Sequence, residues 1–303
     1  MTAKSATIVT IGTFDGVHIG HQKIIEKVIK HADKQNFKSV VLTLFPHPRM
    51  VLQKDDSIKL LNTIDERISI LKSLGVQNVV VKEFTKVFAN LSPKNYVEKI
   101  LVKELNAKHI VIGYDHRFGK NRTADITDLH KFAEIHNFKV EEISAQDIAD
   151  VTVSSTKIRN ALSTGEVNLA NNYLGYNYYI SGNVIKGKGL GRTIDFPTAN
   201  IHVKETYKLI PHDGVYVIKS SFEGQTLYGM MNIGTNPTVD GKNRSIEVHF
   251  FNFNEDIYNT KLKIEFLKRL RSEQKFENIH ALKTRLKTDK EQALNYLKTI
   301  VSE

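Results

Sequence analysis

The sequence predicts an α/β domain with a parallel sheet, followed by a small antiparallel β-barrel that ends in a C-terminal helix. Three observations predict this. β-Branched runs alternate with helically spaced apolar residues up to about residue 175, short alternating runs broken by turn residues fill Tyr178 to Glu265, and a helical pattern runs from Glu277 to about Ile300. Thr7 to Ile11 reads as a strand and Gly12 to Gly20 as a glycine-punctuated turn. Gln22 to Ala32 then places Ile24, Ile25, Val28 and Ile29 at helical spacing. Ser39 to Leu44 is a second strand, stopped by Pro46 and Pro48. Helix Asp65 to Leu74, strand Asn78 to Lys82, helix Pro93 to Leu105, strand His109 to Ile112, helix Thr127 to His136 and strand Phe138 to Ile143 continue the alternation. That order is expected of a parallel sheet covered on both faces. In the second half, Gly214 to Ser220, Thr226 to Asn232 and Ser245 to Phe251 are the clearest barrel strands. The change of texture puts the boundary at residues 172–180, giving domains 1–175 and 176–303.

A chain of 303 residues can bury two ordinary cores, and 41% hydrophobic with 25% charged residues is a globular balance. The absence of cysteine excludes disulfides, thiolate metal sites and a cysteine nucleophile, and suits a reducing cytoplasm. No signal peptide or bilayer-spanning apolar run is visible. The net charge of +10 comes from lysines interleaved with acids, without an arginine-rich tract. Anionic small molecules are therefore the expected partners; neither nucleic acid nor membrane is. Homo-oligomerisation is left open.

Gly12-Thr-Phe-Asp-Gly-Val-His-Ile-Gly-His21 lies where a parallel strand hands over to a helix, the place where open α/β sheets bind ligands. Its glycines let backbone approach a phosphate, and the following helix presents free N–H groups. His18 and His21 can both face the anion and stabilise charge on a pentacoordinate phosphorus. In Val153-Ser-Ser-Thr-Lys-Ile-Arg159, three hydroxyls with Lys157 and Arg159 supply donors and charge, although the same hydroxyls suit a helix N-cap. Pro46 and Pro48 stiffen a loop around Arg49, and Asp115 with Arg117 is expected as a polar pair. In the second domain Gly187, Gly189 and Gly191 form a loop able to wrap phosphates, yet no Gly-Lys-Ser/Thr opens a helix, so it is not a Walker loop. Thr198 and Asn200 alternate onto one side of an extended segment, where both reach one hard cation. Glu247 points opposite to Ile246 and Val248, and Phe276 is expected to pack in the core beneath a helix.

The H-x-G-H turn with the Ser-Ser-Thr segment resembles the nucleotidyltransferase superfamily, which implies a Rossmann-like N-terminal domain. Phe45-Pro-His-Pro-Arg49, Gly113 to Lys120, Gly182 to Arg192 with Phe196-Pro-Thr-Ala-Asn200, Asn232 to Thr238, Ser245 to His249 and Leu270 to Phe276 narrow it. Together they resemble the bifunctional riboflavin kinase/FMN adenylyltransferase family from residue 7 to about 290. The resemblance implies phosphorylation of riboflavin to FMN in the barrel, then transfer of AMP from ATP to FMN, giving FAD and pyrophosphate in the N-terminal domain. It implies Glu247, His18 and His21 as catalytic. ATP for adenylylation is implied to meet Gly12, Phe14, His18, His21, Asp115, Ser155, Thr156 and Arg159. The kinase ATP is implied to meet Gly187, Lys188, Gly191, Arg192 and Thr198. Pro46, His47, Arg49, Asn232 and Arg271 are implied to contact flavin, and Thr198 with Asn200 to hold Mg²⁺. The family usually has an aromatic at His116, a glycine-containing stretch at Asn121 to Asp125 and glycine at Asp195. The altered Asn121 to Asp125 stretch leaves a kinase lacking adenylylation as an alternative; a non-catalytic flavin-binding or RNA-interacting regulator is a second, against which the intact Glu247 and H-x-G-H stand. Transfer of AMP or CMP to another phosphate would leave the second domain unexplained.

Overall fold

The computed structural model describes residues 5–55, 57–144, 153–187, 191, 196–238 and 241–301. By contact the chain divides into two units, Met1–Ser155 and Thr156–Glu303. In the first, five parallel strands lie in the order β3-β2-β1-β4-β5. They are β1 (Thr7–Gly12), β2 (Lys38–Phe45), β3 (Asn78–Glu83), β4 (Ala107–Gly113) and β5 (Lys139–Ile143). The chain builds β2 and β3 on one side of β1, then returns to place β4 and β5 on the other. The strand order thus reverses between β1 and β4, and a crevice opens at their carboxyl ends.

Helix α1 (Ile19–Gln35) follows β1 and divides its apolar residues between two clusters. Ile24, Val28 and Ala32 pack with Ile8, Val111 and Ile143, while Ile25 packs with Phe14, Val17, Val41 and Leu71. Asn36 in the left-handed conformation ends the helix. The short α2 (Pro48–Leu52) starts at the Pro-His-Pro segment. A capping box of Thr63 and Glu66 starts α3 (Ile64–Ser73). After α4 (Lys86–Ala89), the helix expected from Pro93 to Leu105 is α only as α5 (Pro93–Tyr96) and widens to π-helix over Val97–Glu104. The wider turn, with Leu105 N–H bonding to Ile100 O at 3.0 Å, sets Tyr96, Val97, Ile100, Leu101 and Leu105 all against the sheet. Helix α6 (Ile126–His136) precedes β5.

The second unit starts with α7 (Ser155–Thr164) and α8 (Val167–Leu174), which the sequence boundary near 175 had placed before it. The physical reason is Asn171, whose amide donates to Phe266 O at 2.9 Å and accepts from Tyr178 N–H at 2.8 Å. Six antiparallel strands close a barrel in the order β10-β7-β6-β11-β8-β9. They are β6 (Tyr179–Ile185), β7 (Ala199–His202), β8 (Gly214–Phe222), β9 (Gln225–Thr238), β10 (Gly241–Phe250) and β11 (Lys261–Arg271). Helix α9 (Ile279–Val301) lays Leu282, Leu286, Ala293 and Leu297 over Phe196, Val217, Met230, Phe251 and Leu267. The same helix carries Asp289, which is fully buried and held by Arg271 at 2.8 Å and Arg285 at 3.0 Å.

Breaking a buried charge pair from one side strands the other charge and costs about 3–5 kcal/mol. Asp289→Ala is therefore expected to lower barrel stability by that amount in urea unfolding followed by far-UV circular dichroism, while Asp256→Ala, on an exposed turn, changes it by less than about 0.5 kcal/mol.

Candidate active sites

The first site grows from the turn after β1. Phe14, Gly16 and Val17 all have positive φ, at 47°, 86° and 38°. For Phe and Val this is a strained backbone that surrounding contacts must hold. Asp15 does so: its buried carboxylate accepts the N–H groups of Leu61 at 3.0 Å and Asn62 at 3.3 Å and lies 3.7 Å from Arg67. Gly16 N–H donates to Asn62 Oδ1 at 2.8 Å. Arg67 extends the network to Thr43 Oγ1 and Leu44 O at the end of β2, and Thr43 donates to Thr13 O. Ser155 Oγ donates to Asp15 O at 2.8 Å.

His18 caps α1, its Nδ1 accepting from His21 N–H at 3.4 Å, which leaves Nε2 to carry the proton. The two rings stack at 3.7 Å with 17° between planes. Burial, opposed by Asp15, pushes the His18 imidazole down to about 4. Burial, with His18 and Arg67, holds His21 well below its usual value. Both are neutral at pH 7, so each offers an N–H donor rather than a fixed positive charge. The Nδ1 of His21 is buried without a hydrogen-bond partner among the described residues.

A cavity of about 570 Å³ lies at the crevice between β1 and β4. It is lined by Gly12, Phe14, His21 and Asp115, all sequence-predicted, with His116 and Arg117 beside them. His18 is not in the lining; it backs His21. From the Pro-His-Pro segment, Pro48 and Leu52 reach the cavity, whereas Pro46, His47 and Arg49 do not, and His47 caps α2 through Arg49 N–H at 3.2 Å. Asp115 and Arg117 both line the cavity, as expected of a polar pair there, with no ion pair between them among the described residues. Asp115 acts on His116, whose pKa falls to about 4 because burial outweighs that carboxylate. Thr156 and Arg159 lie in the first turns of α7, exposed and half-buried respectively.

The second site lies on the barrel face covered by α9. Register places Asn200 of β7, Glu247 of β10, Asn232 of β9, Val215 of β8 and Arg271 of β11 side by side across five strands. Directly paired residues share a face, so this row points one way. Thr198 Oγ1 donates to Glu247 Oε2 at 3.3 Å. A cavity of about 250 Å³ is lined by Gly191, Thr198, Asn232, Glu247 and Arg271. Glycine is required at Gly191, where a Cβ would lie 2.2 Å from Phe196 O; at Gly187 a Cβ would lie 2.0 Å from the Asn200 side-chain amide and would displace it. Lys188, Gly189, Arg192 and Asp195 lie outside the described residues. Arg271 lines the cavity with its guanidinium held by Asp289, 2.9 Å from Nε and 2.8 Å from Nη2. Phe276 corrects its expectation: it precedes α9, half-buried, with Arg271 5.7 Å over its ring, and it too lines the cavity. It stands outside the cluster that α9 packs on the barrel.

Sequence reasoning missed Asp15, Asn62, Arg67, Asp289 and the positioning part of His249. Asp15 had one signal, an acid inside a glycine turn. The others sit on ordinary amphipathic segments. His249 Nδ1 bonds to Pro197 O at 2.9 Å and so holds the segment that carries Thr198. Burial, more than Lys290, lowers its pKa, and Pro197 O opposes that shift.

A Rossmann-like sheet with an H-x-G-H turn and, in the same chain, a barrel with a glycine loop and an acid-amide row define a two-site enzyme of phosphoryl and nucleotidyl transfer. Comparison with known proteins gives the particular family. An FAD synthetase family model matches residues 1–157 and a riboflavin kinase model residues 174–297. The chain is similar to the bifunctional riboflavin kinase/FMN adenylyltransferases of Bacillus subtilis (38% identical, 98% of this chain, 94% of the relative) and Listeria monocytogenes (39%, 94% and 90%). That of Escherichia coli K12 is 34% identical over 93% of this chain and 90% of its own. The chain belongs to the bifunctional riboflavin kinase/FMN adenylyltransferase family. It is also similar to a solved Streptococcus pneumoniae structure described as a macrolide-efflux protein, with TM-score 0.88, 32% identity and coverage of 97% and 96%. Among the described residues no helix is long and apolar enough to cross a membrane.

The lowered imidazoles set a pH dependence. Below the ordinary 6.5 the unfolded chain protonates histidines that the folded chain keeps neutral. Their contribution to stability is therefore fully present above pH 6.5 and is lost as pH falls toward about 4. Long-range ¹H–¹⁵N spectra are expected to show His18 and His21 neutral at pH 6; imidazolium signals from either would contradict the assignment.

Proposed function

We propose that residues 176–303 transfer the γ-phosphoryl group of ATP to riboflavin, giving FMN and ADP, and that residues 1–175 join FMN to AMP from a second ATP, giving FAD and pyrophosphate. The observation that carries this is that Glu247, Asn232 and Arg271 of neighbouring strands line one cavity while a second, separate cavity adjoins His21.

In the barrel, Glu247 takes the proton of the ribityl 5′-hydroxyl as that oxygen attacks the γ-phosphorus, and ADP leaves. Asn232 and Arg271 orient the flavin, and Asp289 fixes the direction of the Arg271 fork. Gly187, Lys188, Gly191 and Arg192 cradle the phosphates. Thr198 and Glu247 bring a hydroxyl and a carboxylate oxygen within 3.3 Å and Asn200 is paired with Glu247 across the strands, a hard oxygen set that fits Mg²⁺. When bound there, Mg²⁺ supplies charge neutralisation on the β- and γ-phosphates.

In the sheet domain, an FMN phosphate oxygen attacks the α-phosphorus and pyrophosphate departs. Neutral His21, backed by His18, donates a hydrogen bond to charge developing on the phosphorus oxygens. Gly12, Phe14 and Asp115 shape the nucleotide pocket. Ser155, Thr156 and Arg159 hold the departing pyrophosphate, and the Pro-His-Pro segment borders the flavin through Pro48 and Leu52, which Pro46, His47 and Arg49 position from behind. His116 offers a flat neutral ring in place of the usual aromatic. No covalent enzyme intermediate is needed, and the substrates and cysteine-free composition suit the cytoplasm.

Glu247→Ala is expected to reduce FMN formation from riboflavin by about 10²–10⁴-fold while FAD formation from supplied FMN stays within a few-fold of wild type. His21→Ala is expected to do the reverse. Chromatography of products from riboflavin or FMN with Mg²⁺–ATP reads both, and equal loss of both activities in either folded variant sinks the two-site reading.

A further inference from the structure

A side-chain cluster in the sheet domain takes no part in either transfer. His31 lies near the end of α1 opposite to His18 and His21, ten residues beyond His21, or about 15 Å along the helix axis. It meets His109 of β4 and Glu141 of β5, both set back from the carboxyl end of the sheet. His31 Nε2 is 2.7 Å from Glu141 Oε2, and His109 Nε2 is 3.5 Å from the same oxygen. The two rings are 4.7 Å apart. One ligand atom from each residue falls within 4.8 Å of the other two.

His109 needs an explanation. It is 6% exposed, its Nδ1 is buried without a hydrogen-bond partner among the described residues, and its Nε2 is too far from Glu141 for a good hydrogen bond. Its Nε2, aimed at Glu141 Oε2 from 3.5 Å, is the atom left for a ligand, and a group held there places the ring proton on Nδ1. Glu141 is already divided between two tasks: Oε2 faces both imidazoles, and Oε1 lies 3.6 Å from Lys27.

We propose that His31, His109 and Glu141 bind a divalent transition-metal ion of the zinc class. Two imidazoles and one carboxylate are a nitrogen-rich set that suits such an ion and not Mg²⁺. Ligand atoms of a tetrahedral site with bonds near 2.0–2.1 Å stand about 3.4 Å apart, and the 2.7 and 3.5 Å separations straddle that spacing. Oε2 serves as the single carboxylate ligand while Lys27 steadies Oε1. His31 and Glu141 side chains are each 31% exposed, which opens the fourth position to water. The ion would clamp the end of α1 to β4 and β5, away from both reactions.

The test uses the full chain, stripped of metal by chelator and held in excess Mg²⁺ so that oxygen-rich sites are filled. Cobalt(II) is added at micromolar concentration. The expected result is the visible band of four-coordinate cobalt at one equivalent, its displacement by Zn²⁺, and its loss in both His31→Ala and Glu141→Gln. These variants are expected to form FMN and FAD at the wild-type rate. His31 is half-exposed, so its variant folds even where His109→Ala does not. No band, a band only at millimolar cobalt, or a band that survives His31→Ala overturns the proposal.

Discussion

Two carboxylates withdrawn from water, Asp15 and Asp289, set the terms for both sites. Each is 0–1% exposed and each is met by arginine, Arg67 in the sheet unit, Arg271 and Arg285 in the barrel. A buried ion pair contributes little net stability compared with well-packed apolar side chains, because desolvation offsets the attraction. Its value here is geometric. Asp15 cannot stay buried unless Leu61 and Asn62 N–H groups and Arg67 converge on it, and that convergence holds Phe14 and Val17 at positive φ. Asp289 likewise cannot stay buried unless Arg271 turns its fork toward α9, which fixes where that guanidinium sits along the cavity.

Both sites follow from ordinary rules of chain direction. In the sheet unit the strand order reverses between β1 and β4, so the loops after these strands face each other across a crevice without any specialised segment. In the barrel, antiparallel register alone brings Asn200, Glu247 and Asn232 abreast, though they are far apart in sequence. Gly191 adds close approach: it admits no Cβ, because the Phe196 carbonyl already occupies the space. Precision comes from strands and backbone more than from long side chains.

Electrostatics divides along the same line. The chain as a whole is basic, +10, which raises the local concentration of phosphorylated substrates. Yet the imidazoles nearest the first cavity are neutral, since burial costs a charged ring more than Asp15 or Asp115 returns. Net attraction is left to the surface, and the cavity supplies directed hydrogen-bond donors.

The sequence by itself determined the strand–helix alternation, the change to a barrel, the H-x-G-H turn and the alternation that aims Glu247, because each is a local pattern of period or of glycine and proline. Only the tertiary structure decided that α7 and α8 group with the barrel, through Asn171, and that the helix after Pro93 widens to π. Arg67, Asn62 and Asp289 were illegible because a buried polar residue on an amphipathic helix or in a loop has no periodicity of its own. Its meaning depends on a partner brought near by the fold. The cluster of His31, His109 and Glu141 is the same case: three unremarkable positions in sequence, joined because α1 runs back along the sheet between β4 and its neighbours.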